Sequence, residues 1–283
     1  MRFAAIAAAA ALLSAGPAFA GGLFDDDDCK YTAPRRGSTP AAGVSRVIIH
    51  AESGSLKVDG TPGATHIGVA GTACTSDEDF LNRMTLTMRK SGSDLHIDVA
   101  IPEKNVFLGF FSARLDFAVT VPNGMPVVID DDSGWIKVSN LGATTIDDDS
   151  GSIEARNMRG NLTINDDSGA IEVDTVTGNV LIEDDSGEIT VRNVTGKVEI
   201  EDDSGAISVA RVASLHIRED DSGSISAHEI KADVLVDYDS SGSITVADVG
   251  GNFTVNHKSG GSIDYVRVAG KVEIPEKKRH RRD

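Results

Sequence analysis

Pairs of aspartates recur down the second half of this 283-residue chain, each pair followed by Ser-Gly. They are Asp131 and Asp132, Asp148 and Asp149, Asp166 and Asp167, Asp184 and Asp185, Asp202 and Asp203, and Asp220 and Asp221. The accompanying glycines are Gly134, Gly151, Gly169, Gly187, Gly205 and Gly223, with degenerate copies at Gly242 and Gly260, at steps of 17, 18, 18, 18, 18, 19 and 18 residues. A fixed period of this size marks a repeat architecture whose coils stack equivalent residues into columns. Carboxylates in adjacent coils then stand about 5 Å apart, and each neighbouring pair repels by roughly 0.9 kcal/mol in water. Three reliefs are open: splaying into solvent, hydrogen bonds from turn amides, or bridging by cations. Ca²⁺ suits the last, since it takes about six to eight oxygen ligands in flexible geometry. The twelve aspartates are thus candidate metal ligands, although the fold itself requires no cofactor.

Catalytic readings fit the pattern less well. D-S-G also marks the catalytic turn of aspartic proteases, but six or more copies in register are not six active sites. Serine hydrolysis needs His and Asp within reach of one activated Ser, whereas His216, His228 and His257 share no common position in the repeat. The calcium-binding β-roll spacing G-G-x-G-x-D is absent, because here the acids precede the glycine. A polysaccharide-active β-helix remains the best enzymatic alternative, yet its acids cluster at one cleft while these recur uniformly. The chain is read as not an enzyme.

The elements that position the acids are short strands. From Asp184 one unit reads D-D-S-G-E-I-T-V-R and then N-V-T-G-K-V-E-I-E. Ile189 and Val191 alternate with polar neighbours in one half, Val198 and Ile200 in the other, the sign of strands buried on one face. Val194, in the second turn, points inward. The fold class is all-β: a single-domain parallel β-solenoid with 18-residue coils and two short strands per coil. Residues 127–274 form the regular solenoid, and residues 42–126, with the same vocabulary stretched, form irregular coils that cap its open edge.

The ends are distinct. Residues 1–20 read as a signal peptide, with an Ala/Leu-rich stretch and Ala18-Phe19-Ala20 before the cleavage point. Export follows, to periplasm, cell surface or medium. Residues 21–41 read as a flexible acidic leader. Cys29 and Cys74 pair as a disulfide in an oxidising compartment, two free thiols or a redox pair being the alternatives. Residues 275–283 form a basic, disordered tail that could contact an anionic polymer or the acidic body. The formal charge of −17, with 29 acidic against 11 basic residues between Val127 and Ile274, excludes nucleic acid as a ligand of the body. No transmembrane segment is evident. Phe107, Phe110 and Phe111 crowd one loop, either as a plug over the solenoid end or as a partner patch.

The V-T-V-P-N-G turn ending at Gly124, the S-G-x-I-x-V strands and the V-T-G-x-V-x-I strands resemble the bacterial putative-adhesin family of secreted β-strand-repeat proteins, a domain of unknown function. The resemblance covers roughly Val44 to Ile274. It implies a parallel β-solenoid at the cell envelope. The doubled aspartates depart from what that family generally requires. The expected function is therefore an exported structural or adhesin-like binding scaffold with an acidic ladder and an unknown protein or polysaccharide ligand. A calcium-binding adhesin or matrix protein is the first alternative, a polysaccharide-active enzyme the second.

Overall fold

The computed structural model describes residues 29–102 and 111–275. The first part of the chain contributes β1 (Tyr31–Pro40), β2 (Arg46–His50), β3 (Leu56–Thr61), β4 (His66–Thr75), the single turn α1 (Glu78–Leu81), β5 (Thr85–Ser91), β6 (Asp94–Ala100) and β7 (Ala113–Pro122). The repeats contribute β8 (Val127–Asp131), β9 (Gly134–Ser139), β10 (Thr144–Asp148), β11 (Gly151–Met158), β12 (Leu162–Asp166) and β13 (Ile171–Val176). Then come β14 (Val180–Ile230), which runs unbroken through successive coils, β15 (Val234–Asp239), β16 (Gly242–Val249), β17 (Phe253–Lys258), β18 (Ile263–Val268) and β19 (Val272–Glu273).

Every repeat strand pairs in parallel with its equivalent one coil away: β8 with β10, β10 with β12, and β9 with β11, for example. This is the parallel β-solenoid of about eight turns that the repeat demands. Two strands make each coil. In one of them Leu162, Ile164, Ile171, Val173 and Val176 point inward and are buried, and the same positions recur as Val180, Ile182, Ile189, Val191 and Val194 in the next. The core is a thin stack of branched aliphatics, ended by the larger Phe253 in the last full layer.

Two backbone columns fix the coil. The D-D-S-G glycines from Gly134 to Gly242, preceded by Gly54, all have φ between +118° and +153°. A Cβ on any of the stacked glycines would lie 1.4–1.7 Å from the carbonyl oxygen of the glycine one coil earlier. Glycine is therefore obligatory on two counts, conformation and space. The column ends at Gly261 rather than Gly260: Gly261 sits on Gly242, while Gly260 meets nothing closer than 3.4 Å. The second column is left-handed but not glycine: Asn140, Asn157, Thr175, Asn193, Arg211, Glu229, Asp248 and Arg267 have φ of 54–62°. These residues turn the chain so that the next one, such as Val176 or Val194, re-enters the core.

The period is not uniform. Equivalent strands are offset by 17 residues from β8 to β10 and by 18 from β10 to β12, but by 19 from β14 to β15 and from β15 to β17. The extra residue lies after the apolar pair, as in Ile217-Arg218-Glu219-Asp220 against Ile200-Glu201-Asp202.

The N-terminal part differs from irregular coils. β2 and β3 do stack in parallel on β8 and β9, and β6 and β7 stack beneath them. Beyond that layer the direction reverses: β4 is antiparallel to β7, β1 to β4, and β5 to β6. Tyr31–Pro40, placed by sequence in the flexible leader, is thus a full strand, β1, paired along all of β4. The outermost strands carry edge devices: Pro34 and Pro40 in β1, Arg89 and Lys90 in β5. Cys29 and Cys74 are joined by a disulfide that pins the start of β1 to β4. Residues 1–28, Phe107, Phe110 and the tail from 276 lie outside the described residues; Phe111 packs edge-on against Phe80, with ring centroids 4.7 Å apart.

Gly205→Ala should destabilise the protein by more than about 3 kcal/mol, because its Cβ would overlap the Gly187 carbonyl. Thr175→Asn should instead raise the urea midpoint by the equivalent of about 1 kcal/mol, since a β-branched residue is costly at φ 62° and Asn is not. Equilibrium urea unfolding of both variants reads the two signs.

Candidate functional site: a buried acid column between two exposed ones

The aspartate pairs split by side of the strand. Counting inward positions along β12 gives Leu162, Ile164 and then Asp166; along the start of β14 it gives Val180, Ile182 and then Asp184. The first acid of each pair therefore points inside. Asp131, Asp148, Asp166, Asp184, Asp202 and Asp220 are 5 % exposed or less, and Asp239 joins them in register with Asp220. The second acids, Asp132, Asp149, Asp167, Asp185, Asp203 and Asp221, face solvent at the turn. A further, mostly acidic row runs on the strand side, with Asp130, Asp147, Asn165 and Glu219 exposed and Glu183 and Glu201 half-buried. Of the twelve candidate ligands, six are therefore enclosed and six face solvent, so the two stacked columns have opposite surroundings.

The rest of the motif has separate tasks. The serine hydroxyl donates to the backbone carbonyl of the exposed aspartate one coil back, from Ser150 to Asp132, Ser168 to Asp149, Ser186 to Asp167 and Ser204 to Asp185, at 3.2–3.4 Å. The glycine makes the stacked turn. Neither aspartate side chain is required by these contacts, since the serines bond a backbone carbonyl that any residue could supply.

Its electrostatics are unusual. Neither carboxyl oxygen of Asp131, Asp148, Asp166, Asp202 or Asp220 has a hydrogen-bond partner of adequate geometry. Asp184 Oδ1 accepts from the Ser186 amide at 3.3 Å. By contrast Asp116, the buried acid of the cap, accepts from the Ser55 amide and hydroxyl and from Arg114. Loss of water in the interior, aided by neighbouring carboxylates, pushes the column upward from 3.8: Asp131 to about 8, Asp166, Asp202 and Asp220 to about 7, Asp148 and Asp184 to about 6. Buried acids spaced by one strand cannot all ionise together, so near neutral pH the column retains protons.

At its C-terminal end the column is closed by a cation. Lys258 occupies the next register position after Asp239, and its buried ammonium donates to Asp239 Oδ2 at 2.8 Å and to the Gly242 carbonyl at 3.0 Å. Burial still raises Asp239, but Lys258 opposes it. At the other end the in-register residue is Ala51, so the column starts on an apolar floor.

The exposed rows differ in how they are neutralised. On the strand side Arg218 bridges Glu183 and Glu201, and a network of Lys197, Glu199, His216 and Asp237 adjoins it. Asp237 and Glu199 are held below the usual carboxylate range by His216 and Lys197 respectively. On the turn side, among the described residues, none of the six exposed aspartates has a basic partner. Grooves flank the solenoid, two of them among the described residues being well defined. The one along the left-handed corner holds Glu229 and Asp248 beside Arg211 and Arg267. The one between β1, β4 and β3 holds a single carboxylate, Asp59, which accepts hydrogen bonds from Ser139 and Asn140. No described helix is long and apolar enough to cross a membrane.

Fold and site together define an acid-lined β-solenoid scaffold. The chain belongs to the Toastrack family, DUF4097, whose model matches residues 75–274; the resemblance to putative adhesins drawn from the repeats is borne out. Among solved structures it is similar to a putative lipid binding protein from Parabacteroides distasonis at 15% identity, TM-score 0.50, covering 86% of this chain and 97% of that one. A putative adhesin from Bacteroides fragilis aligns at 13% identity and TM-score 0.40, covering 87% of this chain and 98% of that one. At 15% identity the first of these likenesses bears on the fold alone. No curated protein matches the sequence.

Because the folded column binds protons more tightly than the unfolded chain, its contribution to stability is full below about pH 4 and declines as pH rises through 6 to 8. Asp202→Asn, neutral at every pH, should leave the urea midpoint nearly unchanged at pH 4 and raise stability by about 1–3 kcal/mol at pH 8.5. Lys258→Met should act oppositely at neutral pH, costing about 3 kcal/mol by stranding Asp239.

Proposed function

We propose that this protein is an exported, non-catalytic, adhesin-like scaffold that uses its turn-side aspartate column to bind a cationic envelope or surface ligand. The observation that carries this is the column itself: six exposed carboxylates without basic partners among the described residues, on successive coils of a backbone whose turns are locked by stacked glycine. Charge of one sign at strand spacing favours a repeating or multivalent partner, through summed attraction rather than one pocket. The absence of catalysis is supported by where the raised carboxyls lie. A general acid needs an elevated pKa and access to substrate, and here the elevated groups are inside the coil while the groove carboxylates are paired or hydrogen-bonded.

A second reading, in which Ca²⁺ bridges the exposed column, rests on the same unpaired aspartates and their strand spacing. It fits a matrix or adhesin role in which the metal stiffens the face or links it to an anionic polymer.

The fourfold variant Asp149→Asn, Asp167→Asn, Asp185→Asn, Asp203→Asn should keep the melting point within a few degrees. Its binding to immobilised poly-lysine at about 0.15 M salt should fall at least tenfold. Unchanged binding would discard the turn-side column as the ligand face. Melting in calcium against chelator separates the second reading, which needs a higher midpoint in calcium for the wild type and no difference for the variant.

A further inference from the structure

A second set of ligating side chains lies outside the repeats, on the outer face of the cap. β2 and β6 are neighbouring parallel strands, with His50 directly opposite Asp98. His96, two residues before Asp98, emerges on the same face and lies diagonal to His50. One donor atom from each of the three residues lies within 4.8 Å of the others. His50 Nδ1 and Asp98 Oδ1 are 2.7 Å apart, and the two imidazole centroids are separated by 6.2 Å. The backbones that carry them are fixed from below, since Val47, Ile49, Leu95 and Ile97 are buried in the core.

We propose that His50, His96 and Asp98 form a binding site for one borderline divalent transition-metal ion of the Zn²⁺ class. Two imidazoles and one carboxylate are the donor set such ions prefer, whereas Ca²⁺ and Mg²⁺ take oxygen. A tetrahedral ion with bonds of about 2.0–2.1 Å places its donors roughly 3.3 Å apart. The observed separations need only side-chain rotations on fixed strands. Without metal, the His50–Asp98 hydrogen bond holds two of the three ligands together. His50 is exposed and the other two are half-buried, which leaves the fourth position open to water or to a donor from a bound molecule. The surrounding charge is mixed: Asp130 lies opposite His50 on its other side, Arg89 lies opposite His96, and Arg46 is paired to Asp94. The site is separate from the turn-side column, since its ligands sit on β2 and β6 of the cap, while the strand-side row begins beside it at Asp130.

Isothermal titration of the purified, untagged chain with ZnSO₄ tests this. The expected result is one ion per molecule in the micromolar range, weakened at least about tenfold by His96→Ala or Asp98→Asn and unaltered by His216→Ala. All variants should keep the wild-type melting curve, because the three residues are at the surface. Co²⁺ in place of Zn²⁺ should give visible d–d absorption that disappears in His96→Ala. Failure of the wild type to bind Zn²⁺, or binding that survives His50→Ala and His96→Ala together, would overturn the assignment. Retention of zinc binding by the fourfold turn-side variant is also required.

Discussion

The backbone contact between stacked glycines is the constraint on which the rest of this structure depends. With no Cβ, each D-D-S-G turn lies directly on the carbonyl of the turn before it. That approach sets which residue of one coil faces which residue of the next, and so every other column follows from it. The aliphatic core, the left-handed corner and the serine hydroxyl ladder are all consequences of one register. So is the burial of the first aspartate, two positions beyond the last inward aliphatic of its strand up to Asp202 and three at Asp220.

The buried acids show how a repeat imposes a cost as well as a benefit. In an ordinary core, a single carboxyl can find donors, as Asp116 does in the cap. In a solenoid the neighbours of each group above and below are copies of itself, so apart from a turn amide such as that of Ser186 the column offers no donors except the protons it retains. Lys258 resolves this at one end only. The outer rows face the opposite situation, where water and salt screen each charge. Consecutive acids such as Asp147, Asp148 and Asp149 thus have different surroundings, the middle one enclosed and its two neighbours facing water.

Much of this was legible in the chain. The period gave the coil, alternation at Ile189 and Val191 gave the strands, and Val194 pointed inward as its spacing requires. The split of the aspartate pair was also legible in principle, because the same alternation, continued from Val180 and Ile182, lands on Asp184. What hid it is the strong tendency of carboxylates to be solvated, which makes a charged residue at an inward position look like the end of a strand. Asp239 and Lys258 were hidden for another reason: D-Y-D-S-S-G and H-K-S-G-G have lost the doublet, so only the strand register reveals their place. The antiparallel strands of the cap repeat nothing, and the meeting of His50 with His96 and Asp98 depends on pairing between strands nearly fifty residues apart.

The gradual lengthening of the coils has a consequence for how the chain finds its fold. A stack of identical units is nearly indifferent to slipping by one whole unit, since every coil would meet an equivalent surface. Here coils of 17 and 18 residues precede coils of 19, and the longer ones carry their extra residue beside the acid position. A slipped stack would set an insert against a coil that lacks one and move Lys258 away from Asp239. Irregular length therefore works as an address, giving each turn of an otherwise repetitive chain a single place in the pile.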